Sequence, residues 1–382
     1  MYTAELHQLL AILEGAVRDD RQLLHLLFVP EQESDRVPQL MALFREKDLP
    51  LMGGVFPGII HQDRVLQKGF ILKQLPLASG PYLIKNLPEG LAAIDQMQPN
   101  PRTQTGVMLV DGISPWNGDC LDRLYDKTGG AMNFIGGGAG RSDFSAGPCL
   151  FTAERFVDNA ALLACLPVPV QLGVAHGWLP ADHPPVMVTA TDGPNCVTEL
   201  EWEPATAFYR RFISDQQQQT IDFDALPKYF AGHPFGFAVN GQYVVRDVVG
   251  MDGSGLHFAG KVRPGTRLQP MKGEPGHLLQ ASPQVAEAIG GKQANRITTL
   301  VFDCISRAQF LGEAIGEELH QLGTMLGDKA YFAEIEGALT IGEIAQSVDA
   351  PLEFYNKTLV AGHIALDHVP SFLPSDRVAK TT

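Results

Sequence analysis

The sequence predicts an α+β fold: two layered α/β domains built from repeated strand–helix–strand–Gly-turn–strand units, with a largely antiparallel, β-rich middle segment. Three observations carry this. A short apolar strand recurs, as "TGVMLVDGIS" ending at Ser114 and "ITTLVFDCIS" ending at Ser306, with a related "LLHLLFVPEQ" over Leu23 to Gln32. Each is followed by a segment of helical periodicity and then by a glycine-rich stretch. Between the second and third copies lie alternating strands with tight-turn signals.

The elements follow in order. Leu6, Leu9, Leu10, Leu13 and Val17 recur at helical spacing, broken by Glu5, Glu14 and Arg18, and give an amphipathic helix within 1–20 rather than a signal peptide. The three helical segments are "DRVPQLMALFREK", "GDCLDRLYDKTGG" and "FLGEAIGEELHQLGTML". The three glycine stretches are "LPLMGGVFPGII" (Leu49–Ile60), "NFIGGGAGRSDF" (Asn133–Phe144) and "AEIEGALTIGEIA" (Ala333–Ala345), and after each comes another β-like run, the first "VLQKGFILKQLP". In the middle, "VMVTATDG" and "CVTELEW" read as strands joined by a Gly-Pro-Asn turn. Pro204 opens a helix to about Ser214, and Gln216–Gln219 reads as a loop. Asn240-Gly241 is a hairpin signal, and "MDGSG" (Met251–Gly255) another turn. The expected divisions are 1–20, 21–195, 196–370 and a flexible tail at 371–382.

"NFIGGGAGRSDF" resembles a phosphate loop but fails the dinucleotide fingerprint. The spacing is wrong, and the residues after Gly140 have poor helix propensity, whereas a phosphate loop must open a helix. The bland reading is backbone approaching backbone.

Bulk properties narrow the function. Of 382 residues 45% are hydrophobic, enough to bury a core without disulfides. A net charge of −14 argues against nucleic acid or an anionic membrane as the main partner. Five scattered cysteines without a C-x-x-C pair fit a reduced, cytoplasmic protein and carry no zinc signature. No apolar run reaches the ~18 residues of a membrane span.

Several residues stand out as candidate site residues. Arg246 sits in an apolar run and needs a partner: a ligand carboxylate, or a structural acid such as Asp247 or Asp303. Tyr243, three residues earlier on the same strand, belongs on the opposite face. Cys304 lies near Arg307, so it is either a thiolate of lowered pKa or a small buried hydrophobe. Thr340, Glu343, Asn356 and Thr358 around the last glycine stretch either line a polar pocket or satisfy turn backbone.

These stretches together resemble the FIST proteins, bacterial sensory proteins with a FIST N-terminal and a FIST C-terminal domain. The resemblance covers about Leu23 to Leu366. It rests on "LVDGIS", "FIGGGAGRSDF", "VTELEWEPATAFY", "YVVRDVVGMDGSGLHFAG", "LVFDCISR" and "GALTIGEI" leading to "FYNKTLVAG", in that order. It makes 21–195 the N-terminal and 196–370 the C-terminal FIST domain. The family's first glycine turn reads like Gly-Cys-Ser-Thr-x-Gly-Glu, whereas here Phe56 and Pro57 replace the hydroxyl and carboxylate; Thr340 to Glu343 keeps them. The resemblance implies sensing of a small ligand rather than catalysis, through a separate partner such as a histidine kinase. In stand-alone members similar to this chain it implies non-covalent haem and nitric oxide sensing; an amino acid is the other ligand. Of eleven histidines, His176 and then His233 are the favoured axial ligands, beside aromatic neighbours; a structural imidazole is the alternative for each. Two further readings stay open. An enzyme would use Cys304 or Ser306, without a recognisable triad signature, and a pure interaction scaffold would have no occupied pocket.

Overall fold

The computed structural model describes residues 1–14, 22–98, 102–253, 255–291, 296–327, 333–346 and 352–366. Val17 and the expected tail at 371–382 lie outside the described residues.

The fold is α+β, and each of the three copies builds the same unit. An opening strand (Leu23–Pro30, Thr105–Asp111 or Ile297–Cys304) leads into helix. The helices are Val37–Glu46 in unit 1, Asn117–Thr128 in unit 2, and Ile305–Leu311 with Ile315–Leu326 in unit 3. The chain comes back in a second strand (Leu51–Phe56, Asn133–Ala139 or Ile335–Thr340), parallel to the first. A return strand (Phe70–Pro76, Ala160–Leu166 or Leu359–Ala365) then runs antiparallel on the other side of the opening strand. The first two opening strands are buried along their whole length, which is why they read as continuous apolar runs rather than alternating ones.

Between second and return strands the chain leaves its own sheet. Gly58–His61 of unit 1 pairs with the second strand of unit 3. Glu343–Ala345 of unit 3 pairs with the second strand of unit 2. Leu150–Thr152 of unit 2 pairs with the second strand of unit 1. The exchange closes a ring, and the three six-stranded sheets share one strand order.

The glycine stretches are therefore strands where two sheets meet, not turns. At Gly138 an added Cβ would lie 2.0 Å from the Ile341 carbonyl oxygen and 2.6 Å from the Gly112 Cα. The two chains are laced there: Ile341 N–H donates to Gly138 O at 2.9 Å and Gly138 N–H to Gly342 O at 2.8 Å. Only a residue without a side chain permits that approach. Where unit 3 has Thr340, unit 1 has Phe56, whose ring packs 5.6 Å from Phe28, itself 5.8 Å from Phe302 of unit 3. The hydroxyl and carboxylate missing from the first glycine stretch are thus replaced by apolar core.

Residues 179–272 form a nine-stranded antiparallel sheet between the outer strand Val170–Ala175 of the third sheet and that unit's opening strand. The expected division at 195/196 falls in the turn joining two of its strands, Val186–Asp192 and Cys196–Leu200. Asn240 (φ 49°) and Gly241 (φ 83°) make the expected hairpin turn. Helix Ala205–Gln217 begins after Pro204 and covers the sheet with Phe208, Tyr209 and Phe212. It overruns the expected end at Ser214 and takes in Gln216 and Gln217, stopping where Gln218 turns left-handed. At the other end of the chain, helix Leu6–Glu14 sends Leu9 and Leu13 into the main core. No described helix is long and apolar enough to cross a membrane.

Candidate functional site

The inserted sheet meets the third unit along a cavity of about 540 Å³. Its walls come from strand Val170–Ala175 and the following loop (His176, Trp178), the Phe235–Val239/Gln242–Arg246 hairpin (Val239, Tyr243), helix Ala281–Ile289 (Gln284, Ala288) and the segment before the last return strand (Glu353, Tyr355, Thr358). A cleft between two packed bodies is a common place for a small ligand.

Behind this cavity lies a buried polar junction. The Arg307 guanidinium is fully buried. It pairs with Glu318, donates to Leu278 O at 2.6 Å and to His176 O, and lies 3.6 Å from Asp303. Lys357, also fully buried, is held 3.1 Å from Asp247, donates to Ala231 O at 3.0 Å and lies 5.0 Å from the Trp178 ring centre. Asp247 accepts a hydrogen bond from Ser306 at 2.8 Å. Thr340 Oγ1 lies 2.8 Å from Glu343 Oε1, and Thr358 N–H donates to Glu343 Oε2 at 3.3 Å. Asn356 Oδ1 accepts from Asp247 N–H at 3.3 Å. Burial raises the Asp303 and Glu343 carboxyls well above the usual carboxylate range, and raises Asp247.

The sequence candidates now have places. Tyr243 and His176 line the cavity. Arg246 does not. It pairs with Glu353 at 2.7 Å, donates to three backbone carbonyls and sits 4.8 Å from the Phe237 ring centre. Its acid is Glu353, not Asp247 or Asp303, and its donors are occupied by structure. Cys304 is no thiolate, because burial pushes its thiol up to about 12. Thr340, Glu343 and Asn356 serve turn backbone and the junction, one layer behind the wall. His233 lies elsewhere, its Nδ1 3.1 Å from Tyr229 O beside the Phe212 ring.

The residues present do not fit a haem. Both His176 nitrogens are committed: Nδ1 accepts from Trp178 N–H at 2.9 Å, so Nε2 carries the proton donated to Tyr243 O at 3.0 Å. Burial, and then the nearby Arg307 charge, lower its pKa to about 4. His233 does not reach the same cavity, and among the described residues no Lys or Arg lines the walls to meet propionates.

Sequence reasoning missed Glu353 and Lys357, and took Trp178 only as an aromatic neighbour of His176. Glu353 Oε1 accepts from Arg246 and from Phe354 N–H, and no other described group bonds its Oε2. The available signal for Lys357 was a lysine directly before a β-branched strand, too ordinary to single out.

The described residues thus form a cavity at the edge of the inserted sheet, backed by a buried network of charged and polar side chains. The FIST N domain profile matches residues 24–203 and the FIST C domain profile residues 205–346. The chain belongs to the FIST family, whose domains bind small ligands in signal transduction. No curated protein matches it.

Proposed function

We propose that the chain senses a small organic molecule with an apolar body and hydrogen-bond donors, seated in the 540 Å³ cavity, and reports to a separate signalling partner such as a histidine kinase. The observation that carries this is the wall itself. Apolar groups (Leu172, Val174, Trp178, Val239) face Glu353, Gln280 and Gln284, with no arginine or lysine among the described lining residues. An amine finds the Glu353 carboxylate there, whereas a free carboxylate meets neutral donors such as Gln280, Gln284 and Tyr243 and, among the described lining residues, no lysine or arginine to pair with. A ligand here also touches the two bodies at once. Thr358 borders the cavity and bonds Glu343, and Trp178 donates from its ring to Lys357 O at 2.9 Å. Occupancy is thereby tied to the junction that joins inserted sheet and third unit.

Purified protein is screened by thermal shift against amines, amides and amino acids, since a ligand that binds only the native state raises its melting temperature. Ala288→Trp, on the exposed helix face at the rim, abolishes the shift. A haemin titration accompanies the screen. A histidine-ligated Soret band that responds to nitric oxide overturns this reading in favour of a haem sensor.

A further inference from the structure

A second cluster lies on the inserted sheet, away from the cavity. Cys196, on strand Cys196–Leu200, sits directly opposite His257 on strand Gly255–Phe258. Asp252, at the end of the preceding strand, pairs across the hairpin with Gly255. One donor atom from each of the three side chains lies within 4.8 Å of the others. His257 Nε2 and Asp252 Oδ2 are 2.8 Å apart. We propose that Cys196, Asp252 and His257 bind a borderline divalent transition metal, zinc being the reference ion.

The geometry is close to what such an ion needs. Bonds of about 2.0–2.3 Å in tetrahedral directions put ligand atoms roughly 3.3–3.8 Å apart. The longest separation therefore closes by about an ångström while the 2.8 Å His257–Asp252 pair opens by about half an ångström, both within the reach of side-chain rotation. The donor set sorts the metal: thiolate and imidazole select zinc, cobalt, nickel or copper over magnesium and calcium. Thiolate and carboxylate together neutralise the ion, binding releases the thiol proton, and His257 ligates as a neutral imidazole through the nitrogen that now faces Asp252, its own proton moving to the other ring nitrogen.

Two further observations point to a ligand. A Cβ at Gly255 would lie 2.6 Å from Cys196 Sγ and 3.2 Å from Asp252 Oδ1, although its φ does not require glycine. The missing side chain keeps open the space between thiol and carboxylate. Negative charge also crowds the thiol: Asp252 lies within 4.8 Å of it and Asp192 directly opposite on the neighbouring strand, and among the described residues neither acid pairs with a lysine or arginine. A bound cation relieves that crowding. Asp252 is 69% exposed and His257 35%, so the ion has an entry path.

Cobalt is the probe, titrated into the reduced, metal-free full chain. One equivalent gives a thiolate-to-cobalt charge-transfer band and the visible bands of four-coordinate cobalt, and zinc displaces them. Cys196→Ser abolishes the charge-transfer band. Asp252→Asn and His257→Ala each weaken binding by at least the roughly 10–100-fold typical of losing a supporting group. Gly255→Val removes no donor yet blocks the site. Absence of the charge-transfer band at one equivalent, or its survival in Cys196→Ser, overturns the proposal.

Discussion

Gly138 gives the sharpest test of the ring of exchanged strands. Gly138→Ala places a methyl group 2.0 Å from the Ile341 carbonyl oxygen and 2.6 Å from Gly112 Cα. Both obstacles are backbone, so no rotamer change relieves them. Separating the strands costs overpacking strain of about 1–3 kcal/mol. It also stretches the two lacing hydrogen bonds, each worth about 0.5–1.5 kcal/mol. The expected loss is therefore about 2–6 kcal/mol, a large share of the roughly 5–15 kcal/mol that holds a typical domain. Urea unfolding followed by circular dichroism measures it as a lowered midpoint. Gly276→Ala is the control: its Cβ meets nothing within 4 Å, in a short helix where alanine adds about 0.4–1 kcal/mol. Gly138→Val extends the same clash and prevents folding. If Gly138→Ala unfolds within about 0.5 kcal/mol of wild type, the span expected of an uninvolved site, the close approach of the two units is refuted. No nucleotide affinity accompanies Gly138, so ATP or NAD binding by wild type contradicts the same reading.

Three other perturbations follow from the buried charges. Arg307→Met strands the buried Asp303 and Glu318 side chains beside each other; a loss of about 3–5 kcal/mol in urea is expected, and under 1 kcal/mol refutes a structural role. His176 has a folded pKa near 4, below its ordinary value, so the unfolded chain binds the extra proton between them. Stability is thus lost as pH falls from about 6.5 toward 4, and His176→Gln flattens that slope in unfolding monitored by tryptophan fluorescence. Glu336 has the opposite balance. Burial raises its carboxyl, but the His61 hydrogen bond and the Lys73 charge outweigh it and hold the group well below the carboxylate range. Its contribution is present at neutral pH and lost as pH falls through that range, so Glu336→Gln lowers stability at pH 7 and flattens the acid limb of the melting curve.

Much of the fold was legible because local chemistry decided it. Opening strands buried on both faces must be continuous apolar runs, helices between parallel strands must be amphipathic, and Asn240-Gly241 fits only a turn with two positive φ values. The sheet to which a crossing strand belongs was not legible. Leu150–Thr152 and Glu343–Ala345 are three residues each, with the same residue types whichever neighbour they join. Their partners are fixed by contacts between units, and the glycines show only that something comes close.

The site divides along the same line. His176 and Tyr243 could be picked out one at a time, because polar rings next to apolar strands need an explanation. What each side chain is committed to could not, because the decisive partners are backbone groups: Trp178 N–H and Tyr243 O for His176, Lys261 O, Val245 O and Phe354 O for Arg246. Main-chain atoms carry no identity in the sequence, so a histidine poised to ligate and one locked to a carbonyl read alike. The cavity escapes sequence reasoning for a related reason. It is bounded by residues from 172 to 358, and it exists because a nine-stranded sheet is inserted between one outer strand and the opening strand of the same unit. That insertion gives the third unit the neighbour against which the cavity forms, while unit 2 meets it separately through Asp119 and Asp122 of helix Asn117–Thr128 against Lys261 and Arg263. The polar residues kept at Thr340 and Glu343, and replaced by core at Phe56, mark the copy where the sheets must also meet a second body.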